Sequence, residues 1–351
     1  MRTIIADCIA LLLLASCPVS LAANNSNRNN KKLKVVTSLS AYAAIAEEIG
    51  GDLVKVDWIV NGDQDPHFVR PRPSLARKLA DADLFVSTGL DLELWAPSLI
   101  DISGNDQIRS GQRRYVSASQ GVRLLEVPKV KSRSEGGVHI YGNPHFITNP
   151  LAAEVTARNI ATGLSRIDPA HEKQYAENLK RFDNEIDQRL FGAQLLHILG
   201  PDILHRLARH SNNMIDFLKT KKYKDRPLID LLGGWLKEGL DFREKKIVTY
   251  HKQWVYFADL FGLDIVNHVE PRPAIPPTPK HIDRLIKQMR EGKVHVILAA
   301  SYYDLAKVRL IASQVGAKPI IVATGTGGDT GLKTYCELID NIVDKLSAAF
   351  K

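Results

Sequence analysis

The sequence predicts an α/β protein of two lobes, each with a parallel sheet, joined by a single long backbone helix. Three observations lead there. Between residues 33 and 89, short β-branched runs alternate with helical patterns. A long amphipathic pattern then opens at Asp168. From about residue 241 the strand–helix alternation resumes and continues to the C-terminus. A chain of 351 residues has room for two ordinary domains.

The elements follow in order. LKVVTSL (33–39) is a run of strand type. Ser40 can cap a helix through AYAAIAEEIG, which Gly50-Gly51 stops. DLVKVDWIV (52–60) alternates as a second strand, SLARKLADA (74–82) reads as a helix and LFVSTG (84–89) as a third strand. Asn149-Pro150 and Asp168-Pro169 are both helix starts, a capping side chain followed by proline in the first turn. The second opens DPAHEKQYAENLKRFDNEIDQRLFGAQLLHI, with apolar residues at Tyr175, Leu179, Phe182, Ile186 and Leu190. A helix of about thirty residues would span about 45 Å, enough to run across two lobes. Residues 200–240 are irregular, with short helical pieces. KIVTYH (246–251), DIVNHV, VHVILAAS and PIIVAT then alternate with helical stretches, and a helix ends the chain. The expected layout is an N-terminal lobe at 33–167, a linking helix at 168–199, a helical insertion at 200–240 and a C-terminal lobe at 241–351. Ligands in such folds bind at the carboxyl ends of strands, here facing a cleft between lobes.

The N-terminus has the form of a secretory signal. Met1-Arg2 leads into the apolar run CIALLLLAS, and Pro18 and small residues follow. The run is too short to span a bilayer as a stable helix. The expected signal is 1–22, followed by a disordered polar leader at 23–32. Leu14-Ala15-Ser16-Cys17 also resembles a lipobox, so a lipid anchor through Cys17 is the alternative; proline directly after the cysteine favours simple cleavage. Cys8 and Cys17 lie in the signal. Only Cys336 certainly remains after processing, which leaves no internal disulfide and places that thiol in a helical pattern as a buried small hydrophobe. The chain is 44% hydrophobic and 25% charged, with a formal charge of +8. Its densest basic stretch, Lys219-Thr220-Lys221-Lys222-Tyr223-Lys224, reads as a solvated loop. No nucleic-acid motif accompanies it, and no nucleic-acid partner is expected.

The chemistry lies in histidine. Two stretches, DPHFVRP (65–71) and GNPHFITNP (142–150), each hold Pro-His-Phe in a proline-flanked turn, in a chain with 11 histidines. His67 follows the second strand, His145 precedes the Asn149 cap and His251 closes KIVTY. Imidazole is a common ligand for zinc and other borderline metals, and proline-restricted turns reduce the entropy of holding it. A single histidine after a strand is more often a satisfied polar residue, and no HExxH helix is present. From spacing alone the metal reading stays open. His139, six residues before His145, could be an extra ligand or could hold one in place, but reads first as a surface residue; His197, His205 and His210 read as solvent-facing, and His268, His281 and His295 as structural. Trp254, Tyr256 and Phe257 are expected to pack the cleft floor.

NGDQDPHFVRPRPS (61–74), DADLFVSTGLDLELW (81–95), GNPHFITNP (142–150), VTYHKQWVYFADLFGL (248–263) and EPRPAIPPTP (270–279) together resemble the zinc/manganese solute-binding proteins of bacterial ABC transporters, the ZnuA/TroA type. The resemblance runs from about Leu33 to the C-terminus. It implies a periplasmic, non-enzymatic, monomeric protein that binds a divalent metal between two lobes. The metal would be handed to a permease with its ATPase subunit. By motif position the ligands map to His67, His145 and His251. Many relatives place an acidic ligand after the last strand, but here IIVATGTGGD has no acid until Asp329. Glu270 is the candidate fourth ligand, with water as the alternative. The histidine-rich loop of many zinc carriers is absent, and Asn149 stands where relatives often have Asp. Three neutral nitrogens with an oxygen favour Zn2+ over Mn2+ as cargo. Asp63, Asp65 and Glu93 are candidates to hold ring N–H groups behind the ligands. The other readings are a manganese carrier, a metal chaperone or adhesin on the same fold and, remotely, a zinc hydrolase.

Overall fold

The computed structural model describes residues 31–129, 139–272 and 275–351; the expected signal peptide, Cys17 and most of the leader lie outside these. The chain opens with β1 (Leu33–Leu39), α1 (Ser40–Gly50), β2 (Val54–Val60), α2 (Pro73–Ala80), β3 (Leu84–Ser87), α3 (Ala96–Ser103) and β4 (Tyr115–Ser117). These strands form a parallel sheet in the order β2-β1-β3-β4. β1 and β3, buried on both faces, are runs of apolar and β-branched residues, as central parallel strands require. α4 (Pro150–Ile167) follows, capped by the Asn149 side chain on the Leu151 N–H, as its Asn-Pro start predicts.

The second lobe contains β7 (Lys246–Thr249), α10 (Val255–Phe261), β8 (Asp264–His268), α11 (Pro279–Glu291), β9 (Val296–Ala300), α12 (Leu305–Val315), β10 (Lys318–Val322) and α13 (Tyr335–Phe350). Its parallel sheet has the order β10-β9-β7-β8. Between the lobes run α5 (Glu172–Phe191), α6 (Ala193–Leu199), α7 (Pro201–Ala208), α8 (Ser211–Thr220), a small hairpin of β5 (Lys222–Tyr223) and β6 (Arg226–Pro227), and α9 (Gly234–Glu238). Among the described residues, no helix is long and apolar enough to cross a membrane.

α5 is the long joining helix, but it is shorter than the apolar spacing predicts. It has 20 residues, about 30 Å at 1.5 Å per residue. The predicted continuation to residue 199 breaks at Gly192, whose φ is 79°. A Cβ there would lie 2.5 Å from the Gly233 Cα, and one on Gly234 would lie 1.9 Å from the Arg189 carbonyl oxygen. The helix therefore ends where another backbone segment crosses it, a contact between residues far apart in sequence that periodicity does not record. Tyr175, Phe182, Ile186 and Leu190 of α5 are buried in a core shared with both lobes, including Trp254, Phe257 and Tyr335. Cys336 is buried, as expected.

Candidate metal centre

One local device is used twice. In Asp65-Pro66-His67, the Asp65 Oδ1 accepts hydrogen bonds from the His67 backbone N–H at 3.0 Å and from its ring Nδ1 at 2.8 Å. In Asn143-Pro144-His145, the Asn143 Oδ1 accepts from the His145 backbone N–H at 3.0 Å and from Nδ1 at 2.9 Å. The intervening proline has a restricted φ and no N–H to compete for the same oxygen. Each turn thus fixes its ring through an oxygen two residues upstream. His251 follows β7, and its Nδ1 donates to the Glu270 backbone carbonyl at 2.9 Å. Each of these oxygens can only accept, so each Nδ1 carries a proton, and in the neutral form of each ring the lone pair lies on Nε2.

The three Nε2 atoms are buried without a hydrogen-bond partner. The donor atoms of His67, His145 and His251 lie within 4.8 Å of one another. Their ring centroids are 5.1 Å (His67–His145), 5.5 Å (His67–His251) and 5.7 Å (His145–His251) apart. Burial, reinforced by the His67, His251 and His139 rings, holds the His145 imidazole well below its ordinary pKa. Burial also pulls His251 down to about 3, although its bond to the Glu270 carbonyl opposes the shift. Both rings are therefore neutral at neutral pH, the state a metal requires.

A neutral buried ring has a consequence for the metal-free protein. The unfolded His251 titrates near ~6.5, and the folded one near 3. Between these values the unfolded chain binds more protons, so the ring's contribution is present above about pH 6.5 and is lost as pH falls toward 3. His251 alone should remove about 2 kcal/mol by about pH 5. The urea midpoint of metal-stripped protein should accordingly drop between pH 7 and 5; a flat or rising midpoint would contradict neutral, buried rings.

The other expected residues are distributed as follows. Asp65 does hold a ring N–H. Glu93 instead accepts from Ser38 Oγ at 2.6 Å, Thr88 Oγ1 at 2.6 Å and the Thr88 N–H at 3.0 Å, and so braces the ends of β1 and β3. Asp63 accepts from the Asp329 N–H at 3.2 Å. Glu270 is not in the convergent three-histidine group, and its backbone oxygen orients His251. His139 is not a surface residue. Its ring lies 5.5 Å from His67 and 5.6 Å from His145, with Nδ1 held by Asp91 at 3.0 Å and Nε2 buried without a partner. Its partner Asp91 is 48 residues away, so nothing local marks it. Asn143 was also not singled out; the shared acid-or-amide, Pro, His, Phe order in both turns is the sign that could have found it. His197 and His210 are exposed, as expected, whereas His205 is half-buried against carboxylates. His268 and His281 are structural: Thr249 Oγ1 lies 2.7 Å from His268 Nδ1, and His281 Nε2 donates to the His268 carbonyl at 2.9 Å.

Two parallel α/β lobes closing on a buried histidine cluster define a solute-binding protein for a divalent metal. The chain belongs to the ZnuA/TroA-like family of periplasmic metal-binding, solute-binding components of ABC transporters: the family profile described as "Zinc-uptake complex component A periplasmic" matches residues 35–189 and 219–349. The metal ABC transporter substrate-binding lipoprotein ScbA of Streptococcus cristatus is 33% identical, over 96% of this chain and 91% of its own. The manganese ABC transporter substrate-binding lipoprotein PsaA of Streptococcus mitis is 24% identical, over 97% of this chain and 96% of its own. A crystal structure of ZnuA superposes with a TM-score of 0.66 at 20% identity, over 92% of this chain and all of that one, and shares the fold. Members of the family bind and do not catalyse, which sets the zinc-hydrolase reading aside.

Proposed function

We propose that the protein captures a divalent transition-metal ion in the interlobe cleft, with His67, His145 and His251 as ligands, and delivers it to an ABC permease and its ATPase subunit. The observation that carries this reading is the convergence of three buried Nε2 atoms without hydrogen-bond partners, whose opposite nitrogens are tethered to oxygen. His139, whose buried Nε2 also lacks a hydrogen-bond partner, stands as a fourth candidate beside Glu270, whose backbone carbonyl orients His251; neither belongs to the convergent three-histidine group.

For the cargo, manganese stands first. PsaA is named for manganese and aligns along nearly the whole chain. The zinc expected from the sequence stands second, supported by the family's zinc-uptake description and by a nitrogen-rich donor set. Zinc generally binds more tightly than manganese at any such site, so relative affinity alone does not discriminate. The test is titration of metal-stripped protein with each ion separately. Tight manganese binding supports the first reading. Weak manganese binding beside tight zinc binding supports the second, and tight binding of neither ion overturns the carrier reading.

A further inference from the structure

A second cluster lies away from the cleft, where α4, α5 and α7 meet. α4 contributes Glu154, α5 contributes Asp183 and Asp187 one turn apart on one face, and α7 contributes His205. The donor atoms of Glu154, Asp187 and His205 lie within 4.8 Å of one another. His205 Nε2 is 2.6 Å from Asp187 Oδ1 and 3.6 Å from Glu154 Oε2. The side chains of Glu154 and Asp187 are only 4% and 5% exposed.

The cluster is not balanced by its own hydrogen bonds. Glu154 Oε1 is buried and has no hydrogen-bond partner, and neither has Asp183 Oδ1. Among the described residues, Arg158 is the arginine that reaches the cluster, and it approaches Asp183 only at 4.0 Å. An unpaired buried carboxylate is costly and must take up a proton or a cation. Burial, with the Asp187 and Asp183 charges, raises the Glu154 carboxyl to about 9 when nothing else compensates it. A structural network would be expected to satisfy its buried atoms. This one instead presents a carboxyl with one buried, unpartnered oxygen beside an imidazole and a second carboxylate, side chains that project inward from three packed helices, an arrangement that helical metal sites use.

We propose that Glu154, Asp187 and His205 form a second divalent-metal site, with Asp183 beside it, which ties α4, the joining helix α5 and α7 together. The ion would replace the proton between His205 and Asp187 and compensate Glu154. One nitrogen with carboxylate oxygens suits manganese or zinc. The site shares no residue with the cleft and does not depend on the cleft reading.

The experiment is equilibrium dialysis of metal-stripped protein against Mn2+ or Zn2+, with bound metal counted per chain. Wild type and His145→Ala are compared, each with and without Glu154→Gln, a near-isosteric change. The expected result is that Glu154→Gln weakens one bound equivalent by more than about 100-fold in both backgrounds, while His145→Ala acts on a different equivalent. Should Glu154→Gln fail to fold by circular dichroism, His205→Gln at the half-exposed end of the site takes its place. Metal binding unchanged by the substitution in folded protein, in both backgrounds, identifies adventitious surface binding and overturns the proposal. Absence of the second equivalent from wild type does so as well, and leaves Glu154 as a protonated carboxyl. Failure of the cleft reading would appear separately, as an unchanged affinity on His145→Ala.

Discussion

Replacing His145 with alanine is expected to weaken metal binding in the cleft by more than about 100-fold, since the loss of a proposed ligand should exceed the 10–100-fold typical of losing a residue that only orients one. His145 sits centrally: its ring is within 5.7 Å of those of His67, His139 and His251. Its turn also links the lobes, because the Asn143 amide donates to the Lys252 carbonyl at 2.7 Å and the Tyr256 hydroxyl donates to the Asn143 carbonyl at 2.6 Å. Those contacts use Asn143 and not the imidazole, so the variant should fold and the loss should fall on binding. Competition titration with a metal indicator reads the affinity directly. An affinity unchanged in folded His145→Ala would remove the three-histidine centre and with it the proposed carrier chemistry.

The second large effect is expected at a residue that is not itself a candidate ligand. Gly62 lies in the loop after β2 and donates its N–H to the Thr326 carbonyl of the other lobe at 3.0 Å. A Cβ on Gly62 would stand 2.2 Å from the Gly325 carbonyl oxygen and 2.4 Å from its carbon, both backbone atoms that cannot rotate away. Thr326 adds a bond from Oγ1 to the Ser40 carbonyl at 2.9 Å. Gly62→Ala should therefore wedge the lobes apart at a cost of about 1–3 kcal/mol, typical of overpacking. The loop that starts here carries His67, whereas His251 belongs to the opposite lobe. The wedge should thus separate ligands and lower metal affinity by about 10-fold or more, at about 1.4 kcal/mol per factor of ten. Thermal unfolding and the same indicator titration check both parts. Full affinity in Gly62→Ala would mean that the lobes need not approach this closely to bind.

The α/β alternation was legible because parallel strands buried on both faces must be apolar and β-branched, as in LKVVTSL and LFVS. The Asn149 cap was legible for a similar local reason. The length of the joining helix was not, because Gly192 yields to the passing backbone of Gly233 and Gly234. Asp168 reads as a cap but is used otherwise: its Oδ2 accepts from the Tyr175 hydroxyl at 2.8 Å and lies 2.7 Å from His171 Nδ1. Asp65 was recognisable as a ring-holder from two residues away, whereas Glu93 was drawn into the hydroxyls of Ser38 and Thr88.

By itself the sequence determined what depends on neighbouring residues: the strand and helix runs, the proline-gripped turns of His67 and His145, and the strand-end position of His251. Local sterics and periodicity decide these, and they can be read along the chain. Only the tertiary structure decided which imidazoles converge, that Asp91 holds the His139 ring beside them, that the Glu270 backbone carbonyl accepts from His251, and that Glu154, Asp187 and His205 meet. These depend on burial and on partners contributed by separate elements, and the energetic demand to pair or compensate a buried polar atom arises only once the chain has folded around it.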